Sequence, residues 1–187
     1  MVLRLGHRIV RDARASSHLF LAARALGADG VIYTGQRDRT IEATIHEVTQ
    51  AWGGPFEVTH RPQAADVLQE WKTGGGALIH LSMYGLPLLT VVDAIRASPA
   101  DKLIVVGGAK VPRSVFAAAD WNVAVTSQPH SEISALSLFL HELFEGRELV
   151  KSFDGAELRV VPQARGKKIL RRLGSRRGRD TGHDGAV

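Results

Sequence analysis

The stretch that decides the fold is LIVVGGAKVP at residues 103–112, followed by AADWNVAVTSQPHSEISALSLFLHEL at residues 118–143. It contains two apolar strand-like runs, Leu103 to Val106 and Asn122 to Val125, and each ends in small or turn-forming residues before a helical pattern begins. In open α/β sheets, free backbone N–H groups and helix N-termini collect where such strands end, and small ligands bind there. We therefore expect the two runs to end side by side and to form a binding crevice.

The alternation of strand and helix patterns extends over the first two thirds of the chain. Alternating βα units predict a mostly parallel sheet with helices on both faces, and runs such as LIVV suit strands that are buried on both sides. The helix after the first strand is expected to start near His18, with Ser16 or Ser17 as its cap. The sequence thus predicts an α/β fold with six strands: Val2–Leu5, Val31–Thr34, Phe56–Thr59, Ala77–Leu81, Lys102–Val106 and Asn122–Val125.

The alternation stops after Gly146. Two short apolar runs, 149–153 and 158–161, flank an Asp154-Gly155 turn and predict a hairpin extension. Eight cations and no acid lie between residues 165 and 179, whereas the net charge of the whole chain is only +5. This segment suits either a solvated tail or an arm that contacts phosphates. We divide the chain into a main domain (1–145), an extension that forms the hairpin (146–164) and a basic, partly disordered tail (165–187).

Several classes of function are disfavoured by what the sequence lacks. There is no cysteine, and the histidines show no H-x-x-x-H spacing, so we expect no metal site. Neither G-x-G-x-x-G after the first strand nor a P-loop motif occurs, and no serine stands in a nucleophile elbow. No apolar run approaches the roughly 20 residues of a membrane helix, and Arg4, His7 and Arg8 interrupt the first apolar run. A soluble, cytoplasmic protein without a membrane partner is therefore expected.

Six strings carry a resemblance to a known family. They are LRLGHR at 3–8, RDAR at 11–14, ARALGADG at 23–30, HLSMYG at 80–85, GGAKVP at 107–112 and SQPHSE at 127–132. Because these strings occur in this order, residues 3–145 resemble the archaeal tRNA cytidine-56 2′-O-methyltransferases, which belong to the SPOUT superfamily. The resemblance implies a C-terminal trefoil knot, a homodimer, S-adenosylmethionine as methyl donor and tRNA as substrate.

The resemblance also implies which residues line the donor site. These residues follow the fourth, fifth and sixth strands: Leu81, Gly107, Gly108, Ala109, Lys110, Val111, Val125, Thr126, Ser127, Gln128, Pro129, His130, Ser131 and Glu132. The family usually has Glu where this chain has Ala109. Ser131 and Glu132 also suit the cap and first turn of a helix, a role that is compatible with donor binding.

Four arginines are candidates for contact with RNA. Arg24 matches the arginine that the superfamily uses on the 2′-hydroxyl; since guanidinium stays protonated, we expect it to steady the alkoxide rather than to act as a base. Without the resemblance, an arginine among small apolar residues would be expected to pair with an acid or to reach solvent. Arg8, Arg11 and Arg14 are predicted to contact tRNA phosphates, or else to form a solvated basic segment.

The last helix of the main domain, near 131–144, has an apolar stripe wide enough to face both its own sheet and a second subunit. A single deeply buried helix would show the same stripe.

Two other functions remain open at this point. One is a noncatalytic RNA-binding protein of the same fold, which Ala109 favours; the other is a nucleotide-dependent enzyme on an ordinary wound sheet.

Overall fold

The computed structural model describes residues 1–108 and 110–172. Its first part alternates strands and helices as the sequence predicts. The elements are β1 (Val2–His7), α1 (Ile9–Ala25), β2 (Gly30–Gly35), α2 (Arg39–Trp52), β3 (Glu57–His60), α3 (Ala64–Thr73), β4 (Ala77–Pro87), α4 (Leu88–Ala97), β5 (Lys102–Gly107), α5 (Arg113–Ala118), β6 (Trp121–Ala124) and α6 (Glu132–Phe144).

The six strands β1–β6 form one sheet in the order β3-β2-β1-β5-β4-β6, and every neighbouring pair is parallel. The predicted six-stranded α/β sheet is therefore confirmed. One expectation about it is wrong, because β5 and β6 do not lie side by side: β4 separates them. The carboxyl end of β5 instead lies between those of β1 and β4.

Helices cover both faces of the sheet. One apolar cluster holds Leu19 of α1 and Phe139 of α6, and residues of α2 and α4 also belong to it. The other cluster holds Val67 of α3 and Val115 of α5. Because successive strand residues point to opposite faces, the apolar run of β5 supplies both clusters, with Ile104 in the first and Leu103 in the second.

Helix α1 begins at Ile9, well before the predicted start near His18. Neither predicted cap lies at a helix end. Ser16 is fully buried and bonds to the ring of His7, while the Ser17 hydroxyl donates to the carbonyl of Arg14 at 3.0 Å. Serines tolerate helix interiors when their hydroxyls bond in this way, so a serine pair does not by itself mark a helix start.

The chain leaves the adjacent strands β1 and β5 toward opposite faces of the sheet. Helix α1 packs Leu19 into the first cluster, whereas α5 packs Val115 into the second. Such a divergence leaves a gap at the carboxyl ends of the two strands, where open α/β sheets bind ligands.

The C-terminal hairpin differs from the predicted one. Residues Arg147–Val150 form a 3-10 helix, so no strand runs over 149–153. Strand β7 (Leu158–Val160) instead pairs antiparallel with β8 (Ile169–Arg171). The hairpin therefore extends from 158 to 171, and the division placed between 164 and 165 falls within its loop. The cations at 176, 177 and 179 lie outside the described residues.

None of the helices within the described residues has both the length and the apolar character to cross a membrane.

Candidate functional site

A crevice of about 1160 Å³ opens at the carboxyl ends of β1 and β5. Its walls are the exits of β1 and β2, the first turns of α1 and α6, and the segment from Gly108 to Pro112 that follows β5, of which Ala109 is outside the described residues. This volume exceeds the range of about 300–1000 Å³ that is usual for a pocket holding one small molecule. The crevice therefore has room for more than one ligand group.

Arg4 is a buried charge in the wall of this crevice, with 3% of its surface exposed. Its Nη1 donates to the carbonyl of Leu5 at 2.7 Å, and its Nη2 lies 3.2 Å from a carboxylate oxygen of Glu132. Its Nε has no hydrogen-bond partner among the described residues. Because buried polar groups are nearly always satisfied, this buried N–H group is one of few exceptions among the described residues.

The first turn of α1 brings a second set of charges to the crevice. The Arg8 Nε donates to Asp12 at 3.0 Å, and the Arg11 Nε lies 3.8 Å from the same carboxylate. Burial alone would raise the pKa of Asp12, but the hydrogen bond from Arg8 and the charges of Arg8, Arg4 and Arg11 lower it below its ordinary value of 3.8. Asp12 therefore stays ionised and holds two guanidiniums at the crevice.

His7 ties the exit of β1 to both neighbouring helices. Its ring is fully buried, with Nδ1 bonded to the Ser16 hydroxyl at 2.8 Å and Nε2 at 3.5 Å from a carboxylate oxygen of Asp38. Asp38 also caps α2 by accepting from the backbone of Thr40 at 2.9 Å and of Ile41 at 3.2 Å. Within the described part of the chain, no group of three or more His, Asp or Glu residues could hold a metal ion.

The segments that follow β5 and β6 meet beside the crevice. A β-carbon at Gly108 would lie 3.4 Å from a carboxylate oxygen of Glu132, the first residue of α6. The Ser131 hydroxyl accepts from the backbone N–H of Ser134 at 3.1 Å and caps that helix, as expected from the sequence. The segment 126–131 is exposed, so its backbone is accessible to a ligand.

The predicted donor residues divide into two groups around this edge. Those that line the crevice are Gly108, Lys110, Val111, His130, Ser131 and Glu132. The others lie along the carboxyl edge of β5, β4 and β6 and do not line it: Leu81, Gly107, Val125, Thr126, Ser127, Gln128 and Pro129. Ala109 is outside the described residues, so its placement remains a prediction.

Of the predicted phosphate contacts, Arg8 and Arg11 line the crevice. Arg14 is exposed three residues after Arg11 on the same helix, outside the crevice wall.

Arg24 does not lie at the crevice. Its guanidinium donates to the carbonyl of Gly53 and stands 4.9 Å from the ring centroid of Phe153. Gly53 lies between the end of α2 and the start of β3, at the amino edge of the sheet. Burial lowers the pKa of Arg24, and 6% of the residue is exposed. In SPOUT enzymes the active site is shared between subunits, so the role at the 2′-hydroxyl predicted for Arg24 stays a prediction for the ligand of a second subunit; within one chain this side chain packs on Phe153.

Sequence reasoning did not single out Arg4, His7 and Asp12 as site residues. Arg4 carried the clearest signal, because it is a charge in the middle of the otherwise apolar strand Val2–Leu5. Such a residue is normally paired when buried. His7 and Asp12 carried a weaker signal, since both stand within strings that resemble the family.

Solved structures with this fold are SPOUT-type methyltransferases. The TrmH/SpoU tRNA modifying enzyme of A. aeolicus superposes with a TM-score of 0.58 at 14% identity, over 80% of this chain and 76% of that one. The SpoU methyltransferase AviRb from Streptomyces viridochromogenes, crystallised with the cofactor AdoMet, superposes with a TM-score of 0.55 at 14% identity, over 79% of this chain. The chain spans 57% of the length of AviRb. At such identities these similarities establish the fold.

Sequence relatives are much more similar. The tRNA (cytidine(56)-2′-O)-methyltransferase of Methanothermobacter thermautotrophicus is 51% identical over 168 residues, which is 90% of this chain and 94% of that protein. The enzyme of the same name from Thermococcus kodakarensis is 47% identical over 172 residues, which is 90% of this chain and 95% of that protein. The family described as tRNA ribose 2′-O-methyltransferase, aTrm56, matches residues 52–170. On this sequence evidence the chain belongs to this tRNA ribose 2′-O-methyltransferase family.

Proposed function

We propose that the chain transfers a methyl group from S-adenosylmethionine to the 2′-hydroxyl of a tRNA ribose, and that this ribose is cytidine 56 in the T-loop. The nucleotide follows from the relatives, which are named for this position. The observation that carries the activity is the crevice itself: it places basic side chains for RNA beside strand ends with exposed backbone.

The residues present fit the proposed donor. Gly107 and Gly108 leave backbone without side chains at the end of β5, and the first turn of α6 has N–H groups that no helical carbonyl can accept. A methionine carboxylate and an adenine edge both suit such backbone groups. We assign the donor to the fourteen residues expected from the sequence, chiefly the segments 107–111 and 125–132. When bound there, the donor supplies an electrophilic methyl group.

The protein's own contribution is to position the ribose and to stabilise charge. Arg8 and Arg11 stand at the crevice with their guanidiniums held by Asp12, so they can contact a phosphate beside the target ribose. The same positive charges stabilise the 2′-oxygen as it loses its proton. Arg14 extends this row along α1 for phosphates further from the target.

Two groups at the crevice can accept the proton of the hydroxyl. One is the imidazole of His130, which is exposed, and the other is the carboxylate of Glu132. Glu132 is also paired with Arg4, 3.2 Å away. Positioning of the reactants can account for several kcal/mol of the barrier.

We further propose that the chain is a homodimer. Apolar side chains are exposed on several of its elements, among them Val10 on α1 at 98%, Leu89 on α4 at 74% and Leu138 on α6 at 51%. Burial of such residues between two copies would stabilise a dimer. Sedimentation velocity of the protein at micromolar concentration tests this assembly.

The trefoil knot and the cytoplasmic location are part of the same proposal. Two contacts support the knot: Gly85 in the last part of β4 packs on the backbone of Asn122 and Val123, and Gly108 faces Glu132. The exits of β4 and β5 thus both lie against chain that follows them. We propose the cytoplasm as the location because tRNA is the proposed substrate. We also propose that residues 1–145 form the main domain.

One observation favours a second candidate function. The chain has Ala109 where the family usually has Glu, so a noncatalytic RNA-binding protein of the same fold is the alternative. Incubation of an unmodified tRNA transcript with the protein and labelled methyl donor, followed by mapping of 2′-O-methyl sites, separates the two. Methylation at cytidine 56 supports the enzyme; tRNA binding without methyl transfer leaves the binding role alone.

A further inference from the structure

The β7–β8 hairpin is a defined element that is anchored to the main domain. The backbone N–H of Gly54 donates to Asp154 at 2.9 Å, and that of Glu157 donates to Ala51 at 3.1 Å. The strands pair from Leu158 with Arg171 to Val160 with Ile169. Its position is therefore fixed relative to the end of α2.

The hairpin carries an unusual charge. Between residues 158 and 172 there is no acid, and there are six cations, all exposed: Arg159, Arg165, Lys167, Lys168, Arg171 and Arg172. None of the six forms an ion pair with a carboxylate of the described residues. Some surface cations elsewhere have such partners, as Arg61 has Glu70 at 2.6 Å and Arg147 has Glu145 at 2.7 Å, whereas single cations such as Arg14, Arg39 and Arg113 have none among the described residues. The hairpin thus concentrates positive charge that lacks a partner within the described chain.

The hairpin and the crevice lie at opposite edges of the sheet. The hairpin is anchored at Ala51 and Gly54, between α2 and the start of β3, whereas the crevice opens at the carboxyl ends of β1 and β5. A strand of six residues such as β1 spans roughly 20 Å at about 3.3 Å per residue. A single partner that contacts both must therefore be at least about this long and must be anionic.

We infer that the β7–β8 hairpin is a docking surface for the phosphates of tRNA at a distance from the nucleotide held in the crevice. This inference rests on the proposed function, because that function makes a folded tRNA the partner. Phosphates supply the missing negative charge, and a folded tRNA has the necessary length. The three cations Arg165, Lys167 and Lys168 are exposed in the loop between the two strands.

The test is tRNA binding in the absence of methyl donor, measured over a range of salt concentrations. The variant Arg165→Ala/Lys167→Ala/Lys168→Ala should bind full-length tRNA at least about tenfold more weakly, and its log K against log salt slope should fall by about 2 to 3, as expected for three lost phosphate contacts. Its affinity for a short RNA hairpin that carries only the T-arm should stay at the wild-type value. Its affinity for S-adenosylmethionine should also be unchanged.

A matched control removes the same charge elsewhere. The variant Arg61→Ala/Lys72→Ala/Arg147→Ala loses three surface cations that already have carboxylate partners, and it should keep the wild-type affinity and salt slope. If both variants lost the same affinity for tRNA, the hairpin would contribute only through the net charge of the protein, and the inference would be overturned. Wild-type tRNA affinity in the hairpin variant would overturn it as well, and a simultaneous loss of self-association would assign the hairpin to a contact between two copies.

Failure of the proposed function gives a different result. Suppose that the wild-type protein transferred no methyl group and that the hairpin variant still bound tRNA more weakly. The proposed activity would then be wrong, whereas the inference of a docking surface would be supported.

Discussion

The Nη2 atom of Arg4 lies 3.2 Å from a carboxylate oxygen of Glu132 and thereby joins β1 to the first turn of α6. Arg4 is buried, and the side chain of Glu132 is a quarter exposed. The same carboxylate faces Gly108, so one ion pair connects three parts of the crevice that are far apart in the sequence. This pair is well placed to fix the relative positions of the two segments, 107–111 and 125–132, that we propose bind the donor.

The variant Glu132→Gln should therefore weaken donor binding. It keeps the shape of the side chain but leaves the Arg4 charge without its carboxylate, which costs about 1–3 kcal/mol after allowance for the exposure of Glu132. Calorimetric titration with S-adenosylmethionine and urea unfolding should show a reduced affinity together with a lower unfolding free energy. In an Arg4→Leu background the ion pair is already lost, so Glu132→Gln should lower the unfolding free energy little further. If the effects of Arg4→Leu and Glu132→Gln were fully additive, the two residues would not be coupled.

Arg8 and Arg11 should matter for turnover, whereas Arg24 should matter for stability. The double variant Arg8→Ala/Arg11→Ala removes the guanidiniums at the crevice and should lower kcat/KM for tRNA by roughly 100-fold or more. Steady-state methylation of a tRNA transcript measures this loss. Arg147→Ala, a surface arginine far from the crevice, is the control and should retain the wild-type kcat/KM.

Arg24→Ala should lower the unfolding free energy by about 2 kcal/mol, because it leaves the carbonyl of Gly53 without its charged donor and removes the contact with Phe153. Its folded fraction should methylate tRNA with nearly wild-type kcat. Urea unfolding and single-turnover kinetics separate the two effects. A stable Arg24→Ala protein with no turnover would restore the role that the sequence suggested for Arg24.

The elements could be predicted from the sequence because their signals are local. Strand β5 is an unbroken apolar run that ends in Gly107, and α6 follows a serine that caps it. Such features depend on a few neighbouring residues. The bounds that failed are those where tertiary contacts decide, as in α1, where Ser16 bonds to His7 inside the helix.

The crevice could be predicted only in part, because it depends on which strands become neighbours. The sequence indicated a site at the ends of β5 and β6, and the segments that follow both strands line the crevice; strand order is not encoded in any local pattern, so the part of β1 in the crevice wall could not be predicted. The role of Arg24 stays a prediction for a related reason. Its position in a family-like string indicates the helix on which it lies, but the direction of its side chain depends on Gly53 and Phe153, which are distant in the sequence.

Asp12 should make stability depend on pH in the acid range. Its pKa is lowered in the folded state, so its ionised form contributes stability that is present above the ordinary value of 3.8 and is lost as pH falls through the folded pKa. Urea unfolding from pH 7 downward should show a loss below about pH 4 in the wild type. Asp12→Asn should be less stable at pH 7 and should lose less on acidification. The exposed Asp66→Asn variant is the control and should follow the wild type.

Tyr33 should titrate at unusually alkaline pH. Burial raises its pKa to about 12, and the hydrogen bond that it donates to Glu42 at 2.7 Å adds to the effect. The chain has two tyrosines, so Tyr84→Phe leaves Tyr33 as the only one that contributes tyrosinate absorbance. In that variant the ultraviolet titration of the folded protein should have its midpoint near pH 12.

Because an unfolded tyrosine ionises near pH 10, the folded state should lose stability as pH rises from about 10 to 12. Glu42→Gln removes the charged acceptor and should move the midpoint down; a midpoint near 10 in folded Tyr84→Phe protein would show that Tyr33 is not buried against Glu42.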